Sequence, residues 1–373
     1  MSILIFIVVI VALIVVHEFG HFVAAKLSGM RVDEFGLGYP PRALVIGKIG
    51  ETEYTLNWLP FGGFVKIHGE NGLLDDVVDT RSFTAKSRPL QAIVLVAGIA
   101  MNLLFAYVLI TGALVAGTPR ALGEGELANA RDVKLAVANI LPGSPAARAG
   151  LAAGDFIISA QGSTGQWSPS TSLGTGATAP KSFSSFIAAN GKEAVTLDIQ
   201  RNGGKQIIST TPKQGIATSD PSRYALGIEI VTVGTVPISP GAALVEGASL
   251  TWGATKLTAL GLWHFFYGIV TFSADFSQVA GPVGIAGVVG SAATQGLGDL
   301  LSLVAIISIN LALINLIPIP ALDGGRLLFV IVEGIIRRPI NPRIVQSVNA
   351  VGFAFLLLLM FVVTAHDILK IVG

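Results

Sequence analysis

Residues 11–27, VALIVVHEFGHFVAAKL, place two histidines and a glutamate inside a run of aliphatic residues. The apolar run as a whole, residues 3–27, is long enough to cross the roughly 30 Å hydrocarbon core of a bilayer as one helix. Ionisable groups are costly at that depth and usually serve a function there. The stretch therefore predicts a membrane-spanning helix. Its two histidines and its glutamate form either a metal centre or a polar helix end.

The whole chain has the composition of a membrane protein. Of its 373 residues, 52% are hydrophobic and 13% are charged, against about 45–50% and about 25% in ordinary soluble domains. The formal net charge is +1 and no basic tract alternates with aromatic residues, so a nucleic-acid partner is disfavoured. The chain has no cysteine, so any metal must be held by histidine and carboxylate groups.

Four apolar stretches predict a polytopic α-helical membrane protein with about four transmembrane helices, and they are residues 3–27, 90–115, 297–319 and 345–363. The first lacks the basic start of a secretory signal, so we expect it to be retained. A fifth, weaker stretch lies in the segment 241–295, where residues 242–276 mix charged, aromatic and apolar residues. It predicts an amphipathic helix near the membrane interface, or the start of the third span.

Basic residues predict the orientation of these spans. These basic residues are concentrated in two connections. The connection between the first two spans has Lys26, Arg31, Arg42, Lys48, Lys66, Arg81, Lys86 and Arg88. The connection after the third span has Arg326, Arg337, Arg338 and Arg343. We therefore expect both connections on the cytoplasmic side. Both termini and the long connection 117–295 are then expected outside.

The long connection holds the candidate soluble domain, residues 117–240. Four β-rich runs occur there between turn residues, and they are KLAVANIL, AVTLDIQ, KQIISTT and LGIEIV. Residues 162–180 are rich in Gly, Ser and Thr and predict a mobile loop with little to bury. A second strand-like segment, residues 34–70 between the first two spans, predicts a small β element against the cytoplasmic membrane face.

The pattern His17-Glu18-Phe19-Gly20-His21 has the spacing of a zinc protease motif. Residues four apart share one face of a helix, so His17 and His21 can bind the same cation, with Glu18 beside them. Zinc polarises a peptide carbonyl and acidifies water, and a glutamate in this position takes the proton as a general base. Two histidines leave the site short of a third protein ligand.

Asp323 is the best candidate for that ligand. It follows the third apolar stretch, after Pro318 and Pro320 interrupt the helix. The alternative is that Asp323 caps the helix that follows it. The remaining histidines, which are His68, His264 and His366, lie in no second motif and are expected to be surface or interfacial residues.

Together, the first motif and residues 315–325, NLIPIPALDGG, resemble the site-2 protease family of intramembrane zinc metalloproteases, in its regulator-of-sigma-E protease-like branch. Four further segments resemble the same family, and they are EFGLGYPP (34–41), LPFGGFVK (59–66), AGIAMN (97–102) and GPVGIAG (281–287). The resemblance covers most of the chain. One departure is in the second span, where the family often has a proline that this chain lacks.

The resemblance implies roles for individual residues. His17, His21 and Asp323 match the zinc ligands and Glu18 matches the general base. Asn102, Asn310 and Asn315 match asparagines that are associated, in the family, with holding the substrate backbone near the site. For Asn102 and Asn310, the alternative role is a hydrogen bond between helices. Gly62 and Gly63 lie in the turn and edge of the β element, which in the family pairs with an unwound substrate by strand addition.

The resemblance also implies a single PDZ domain of α+β fold in the long connection, because residues 140–162, ILPGSPAARAGLAAGDFIISAQG, match the core of such domains in bacterial proteases. Its ligand is not identified by the sequence. The implied activity is cleavage of single-span membrane proteins within or near the lipid bilayer of the bacterial inner membrane. The alternative is an inactive scaffold that binds partner helices, and the intact Glu18 argues against it.

Overall fold

In the computed structural model, the chain divides into two compact units, one formed by residues 1–116 with 240–373 and the other by residues 117–239. The structure describes residues 2–70, 79–123, 125–127, 130–169, 179–201, 203–216, 220–236, 238–271, 273, 281–338 and 340–372.

The helices are α1 (Ser2–Leu27), α2 (Arg88–Val115), α3 (Pro145–Arg148), α4 (Ala179–Ala189), α5 (Pro240–Val270), α6 (Pro282–Gln295), α7 (Leu297–Leu316), α8 (Asp323–Ile336) and α9 (Pro342–Val372). The strands are β1 (Val32–Ile49), β2 (Thr52–Ile67), β3 (Arg120–Ala121), β4 (Arg131–Ile140), β5 (Phe156–Gly162), β6 (Gly165–Trp167), β7 (Val195–Arg201), β8 (Gly204–Thr210) and β9 (Ile228–Thr235).

Four helices of the described chain are long and apolar enough to cross a membrane: α1, α2, α7 and α9. The four predicted spans are therefore confirmed as helices. The third ends at Leu316, before the predicted end at residue 319. The helix stops there because Pro318 and Pro320 cannot donate backbone hydrogen bonds to a continuing helix.

Close packing between α1 and α2 depends on the absence of a side chain at Gly20. A Cβ atom at that position would lie 2.4 Å from the carbonyl oxygen of Ala97, so the two helix backbones approach each other directly. Helix α7 is joined to α2 by a buried hydrogen bond, in which the Ser308 hydroxyl donates to the Asn102 carbonyl over 2.8 Å. The three spans that carry or adjoin the polar motif thus pack as one group.

Helix α5 packs against α2 and α7 through small residues spaced four apart, namely Ala243, Gly247 and Thr251, which are buried. A Cβ atom at Gly247 would lie 2.3 Å from the Thr111 hydroxyl oxygen. The helix is separate from the third span, because α6 lies between α5 and α7 in the chain. Its interpretation as the start of that span is therefore wrong.

Strands β1 and β2 form the β element, and both change register along their length. Leu37 is paired with Gly63 and also with Leu56. The segment 34–37 therefore lies between two parts of β2, and the segment 63–67 forms one edge of the described sheet. This edge segment packs against α1, which brings it next to the polar motif.

The second unit is built around a sheet of order β3-β9-β4-β5-β7-β8, with β6 paired to β5. The four β-rich runs of the sequence are strands β4, β7, β8 and β9. Helix α4 covers the core through Phe183.

The prediction that residues 162–180 have little to bury is wrong for the first part of this segment. Trp167 is 6% exposed and packs on Phe183 with ring centroids 4.9 Å apart. The indole belongs to strand β6, and its N–H donates to the Ser182 hydroxyl. A single large aromatic ring can thus bury a substantial apolar surface in the core, even where the surrounding residues are mostly Gly, Ser and Thr. Residues 170–178, where the prediction of mobility also falls, lie outside the described residues.

Candidate metal centre

His17 and His21 lie on consecutive turns of α1 and both side chains are buried, at 6% and 7% exposure. Their Nε2 atoms are 3.1 Å apart. This proximity follows from the helix itself, because residues four apart stand one above the other on the same face. The predicted pair of imidazoles therefore points its free nitrogens at one position in space.

Asp323 brings its carboxylate to the same position. Its Oδ2 atom lies 2.8 Å from His17 Nε2 and 3.2 Å from His21 Nε2. Asp323 is the first residue of α8, and the capping position before it is Leu322, whose side chain makes no capping bond. The carboxylate of Asp323 is directed at the imidazoles, so the alternative assignment as a helix cap does not describe this residue.

The interrupted helix positions Asp323 by bringing α8 back against the end of α7. A Cβ atom at Gly324 would lie 2.3 Å from the Leu316 carbonyl oxygen, and one at Gly325 would lie 2.3 Å from the Ile319 carbonyl oxygen. Ala321, in the connection between the two helices, adopts a positive φ of 75°. Only glycine permits this approach of a helix start to unwound backbone.

A third glycine makes room for the imidazoles themselves. A Cβ atom at Gly98 of α2 would lie 2.3 Å from His21 Nε2 and 2.9 Å from His17 Cε1. Sequence reasoning missed this residue. The signal was present, because Gly98 and Asn102 are four apart and so share the face of α2 that meets the motif.

The other nitrogens of both imidazoles contact α2. His21 Nδ1 is 2.8 Å from the Val94 carbonyl oxygen, so it carries the proton and leaves Nε2 free to bind a cation. Asn102, fully buried, places its amide 3.3 Å from His17 Nδ1, and its Oδ1 atom has no partner. If the Asn102 carboxamide is turned by about 180°, its Oδ1 atom can accept a hydrogen bond from a protonated His17 Nδ1. His17 needs its proton on Nδ1 when its Nε2 atom binds a cation.

Glu18 is half-buried beside the two histidines and is held by the β element. Its Oε2 atom accepts a hydrogen bond from the backbone N–H of Val65 in β2 over 3.1 Å. The edge segment comes close here because Gly63 has no side chain; a Cβ atom there would lie 3.7 Å from Glu18 Cγ and 3.0 Å from the Gly36 carbonyl oxygen. The predicted general base and the β element therefore meet.

The remaining predicted residues are placed less directly. Asn102 contacts the ligand His17, which gives it a supporting position. Asn310 donates to the Ile306 carbonyl of its own helix over 3.0 Å, and Asn315 is half-buried at the end of α7. Gly62 is buried with a φ of 102°, a conformation that favours glycine.

The three converging atoms fit a zinc ion. They lie within 4.8 Å of one another, with separations of 2.8 to 3.2 Å. Ligand atoms about 2.0–2.2 Å from zinc at tetrahedral angles are separated by about 3.3 Å, close to these values. Two imidazoles and a carboxylate are also a ligand set that leaves a catalytic zinc one open position. These residues and their supporting groups have the chemistry expected at the centre of a membrane metallopeptidase.

Comparison with known proteins agrees with this class. The chain matches peptidase family M50 over residues 5–359, and it belongs to that family, whose members are the site-2 proteases. A Clostridium perfringens protein named as a candidate zinc metalloprotease is 34% identical over 359 residues, which are 96% of each chain. The zinc metalloprotease RasP of Oceanobacillus iheyensis is 29% identical over an alignment of 452 positions, gaps included, which covers 98% of each chain.

Proposed function

We propose that this chain is a membrane-embedded zinc endopeptidase that cleaves single-span membrane proteins within or near the bilayer. The observation that carries the proposal is the convergence of His17, His21 and Asp323 beside Glu18, within a helix apolar enough to span a membrane. Family membership and the names of the relatives support the same activity.

Each polar residue of the site has a distinct role in this reaction. His17, His21 and Asp323 would hold the zinc ion, which when bound would supply Lewis acidity toward the scissile carbonyl and water. Glu18 takes the proton of the attacking water and returns it to the leaving amine. The Val94 carbonyl and Asn102 hold the imidazoles in orientation.

The substrate must be locally unwound before it can react. A carbonyl inside an intact helix is hydrogen-bonded and shielded by its own helix. An extended peptide in an apolar site then needs partners for its free backbone groups. We assign this role to the edge segment 63–67, by strand addition, and to the carboxamide of Asn315, with Asn310 as a second candidate.

The proposed setting is the bacterial inner membrane, crossed by α1, α2, α7 and α9. The basic residues of the two connections support a cytoplasmic position for the β element and α8. The second unit, residues 117–239, is proposed to be a PDZ domain on the outer side, and segment 241–295 an amphipathic segment at the membrane interface. In this arrangement His17 lies toward the cytoplasmic end of α1 and Asp323 follows the cytoplasmic end of α7, so both lie at a similar depth.

The test is cleavage of a panel of single-span proteins in reconstituted membranes by wild type and by Glu18→Gln. We expect the variant to bind zinc and to lose at least about 100-fold in rate, since general bases contribute about 10²–10⁴-fold. Glu193→Gln, the same change at an exposed glutamate after α4, is the matched control and should cleave like wild type. Substantial cleavage by Glu18→Gln would rule out the proposed mechanism.

A parallel measurement addresses the third ligand. Asp323→Ala should bind less than one zinc per chain after purification, as measured by elemental analysis, because two imidazoles alone hold zinc weakly. Asp323→Asn separates the lost charge from the lost side chain. Full zinc occupancy in both variants would remove Asp323 from the ligand set.

A further inference from the structure

The hydrogen bond between Val65 and Glu18 joins the general base to the edge of the β element. It connects residues 47 apart in the chain, over 3.1 Å. Glu18 is therefore held by a backbone group of a strand. One of its two carboxylate oxygens, Oε2, accepts this hydrogen bond.

Strand geometry defines which backbone groups face Glu18. Val65 is paired with Phe35 of β1, and Gly63 with Leu37. In an antiparallel ladder the N–H and C=O groups of one residue point to the same side, and the side alternates along the strand. Because the Val65 N–H points at Glu18, the backbone groups of Gly63 and Val65 face away from β1, toward α1.

The same groups are those that an added strand would use. An extended peptide pairs with a sheet edge by bonding to its outward-facing N–H and C=O groups. At this edge one of these groups, the N–H of Val65, is already bound to the carboxylate of Glu18. An amide N–H donates one hydrogen bond, so the substrate and Glu18 compete for it.

We propose that the Val65 N–H is a positioning group that holds Glu18 against the sheet, and that a substrate strand displaces Glu18 by taking this hydrogen bond. The inference rests on the proposed function and adds regulation of the same site. A base must lie within hydrogen-bond distance of the proton it takes. Glu18 reaches that position only when a peptide long enough to pair with the edge is present, which couples substrate length to catalysis.

The experiment removes the Val65 N–H and compares two substrates. Val65→Pro lacks the N–H, and proline is tolerated on an edge strand where that group faces away from the neighbouring strand. One substrate is a single-span protein cleaved by wild type, and the other is a fluorogenic tetrapeptide too short to add to the strand. Val65→Ala keeps the N–H and separates the loss of the N–H from the loss of the side chain.

The two substrates should respond in opposite directions. Val65→Pro should cleave the tetrapeptide roughly tenfold faster than wild type, because Glu18 is already free, and should raise KM for the long substrate several-fold, because one backbone hydrogen bond is lost. Val65→Ala keeps the N–H and should not show this crossover of rates. A loss of rate on both substrates, or no change on either, would overturn the proposal, since a structural defect cannot accelerate the short substrate.

Two further measurements keep the inference testable if the proline variant fails to fold. An ester in place of the Phe64–Val65 amide removes the same N–H without a ring and should give the same crossover of rates. Hydrogen exchange at the Val65 amide requires neither metal nor activity. It should become at least tenfold faster in Glu18→Ala than in wild type, with Lys66 unchanged, and equal exchange in the two proteins would contradict the contact.

The outcome is distinguishable from failure of the proposed function. If wild type and Glu18→Gln cleave the long substrate equally, the proposed protease mechanism is wrong. If wild type cleaves, Glu18→Gln does not, and Val65→Pro shows no crossover, only the displacement of Glu18 is wrong.

Discussion

The imidazoles of His17 and His21 fit against α2 because residue 98 has no side chain. A Cβ atom at this position would lie 2.3 Å from His21 Nε2, a separation that real Cβ atoms essentially never show. The neighbouring groups cannot easily give way, since His21 is also fixed by the Val94 carbonyl. Steric shape at one residue thus decides where the metal-binding nitrogens lie.

Gly98→Ala should therefore displace the imidazoles and weaken zinc binding by about 10–100-fold, the range found when groups supporting metal ligands are altered. Zinc affinity of detergent-purified protein, measured with a competing chelator, checks this. Gly112→Ala is the control on the same helix, because its Cβ atom would meet only Leu301 Cδ1, at 3.9 Å. Equal zinc affinity in the two variants would show that the site tolerates the methyl group.

At the scale of elements, an ion pair joins two neighbouring strands of the second unit. Arg201, at the end of β7, donates to both carboxylate oxygens of Asp155, just before β5, over 2.7 Å each. Burial would raise the pKa of Asp155, but the hydrogen bonds from Arg201 and from the Ala152 N–H outweigh it and hold the pKa below its usual value. The charged carboxylate is therefore favoured in the folded state.

This shift gives the stability of the second unit a defined pH dependence. A carboxylate with a lowered folded pKa stabilises the fold above its unfolded pKa of about 4, and this contribution is lost as the pH falls through the folded value. Urea unfolding of residues 117–239, followed by tryptophan fluorescence between pH 7 and pH 2, measures it. Asp155→Asn should lower the unfolding free energy at pH 7 by about 1.5–3 kcal/mol and flatten the acid dependence, whereas Glu193→Gln should change neither.

The elements were more predictable from sequence than the contacts between them. The spans follow from runs of apolar residues, and His17 with His21 follows from helical periodicity. The contacts of Val65 with Glu18 and of Gly98 with His21 join distant segments through a backbone N–H and a missing side chain. The first leaves no local pattern, and the second leaves only the four-residue spacing of Gly98 and Asn102 on α2. Trp167 illustrates a different error, in which the polar residues around it in the sequence led to the prediction of a loop although its side chain is in the core.

At the scale of the whole molecule, every member of the metal centre belongs to one of the two compact units. His17, His21 and Asp323 lie in the unit formed by residues 1–116 and 240–373, as do Glu18 and Gly98. The core of residues 117–239 is composed of that segment's own side chains. The residues of the metal centre are therefore all drawn from one unit.

Replacing residues 117–239 by a flexible linker of about 15 glycine and serine residues should leave one zinc bound per chain. Elemental analysis of the purified deletion protein provides the measurement, and the same deletion with His17→Ala provides the zinc-free control. Loss of zinc from the deletion protein alone would show that the second unit helps to build the centre. Cleavage by the deletion protein would separately report whether that unit restricts access of substrates.

The separation of the ligands along the chain also bears on biosynthesis. His17 and Asp323 are in contact although they are 306 residues apart in the sequence. During translation the histidines and Glu18 enter the membrane early, while the third ligand is added only after most of the chain has been made. A nascent chain therefore lacks the third proposed ligand until synthesis has passed Asp323. The activity proposed above would consequently require a nearly complete chain.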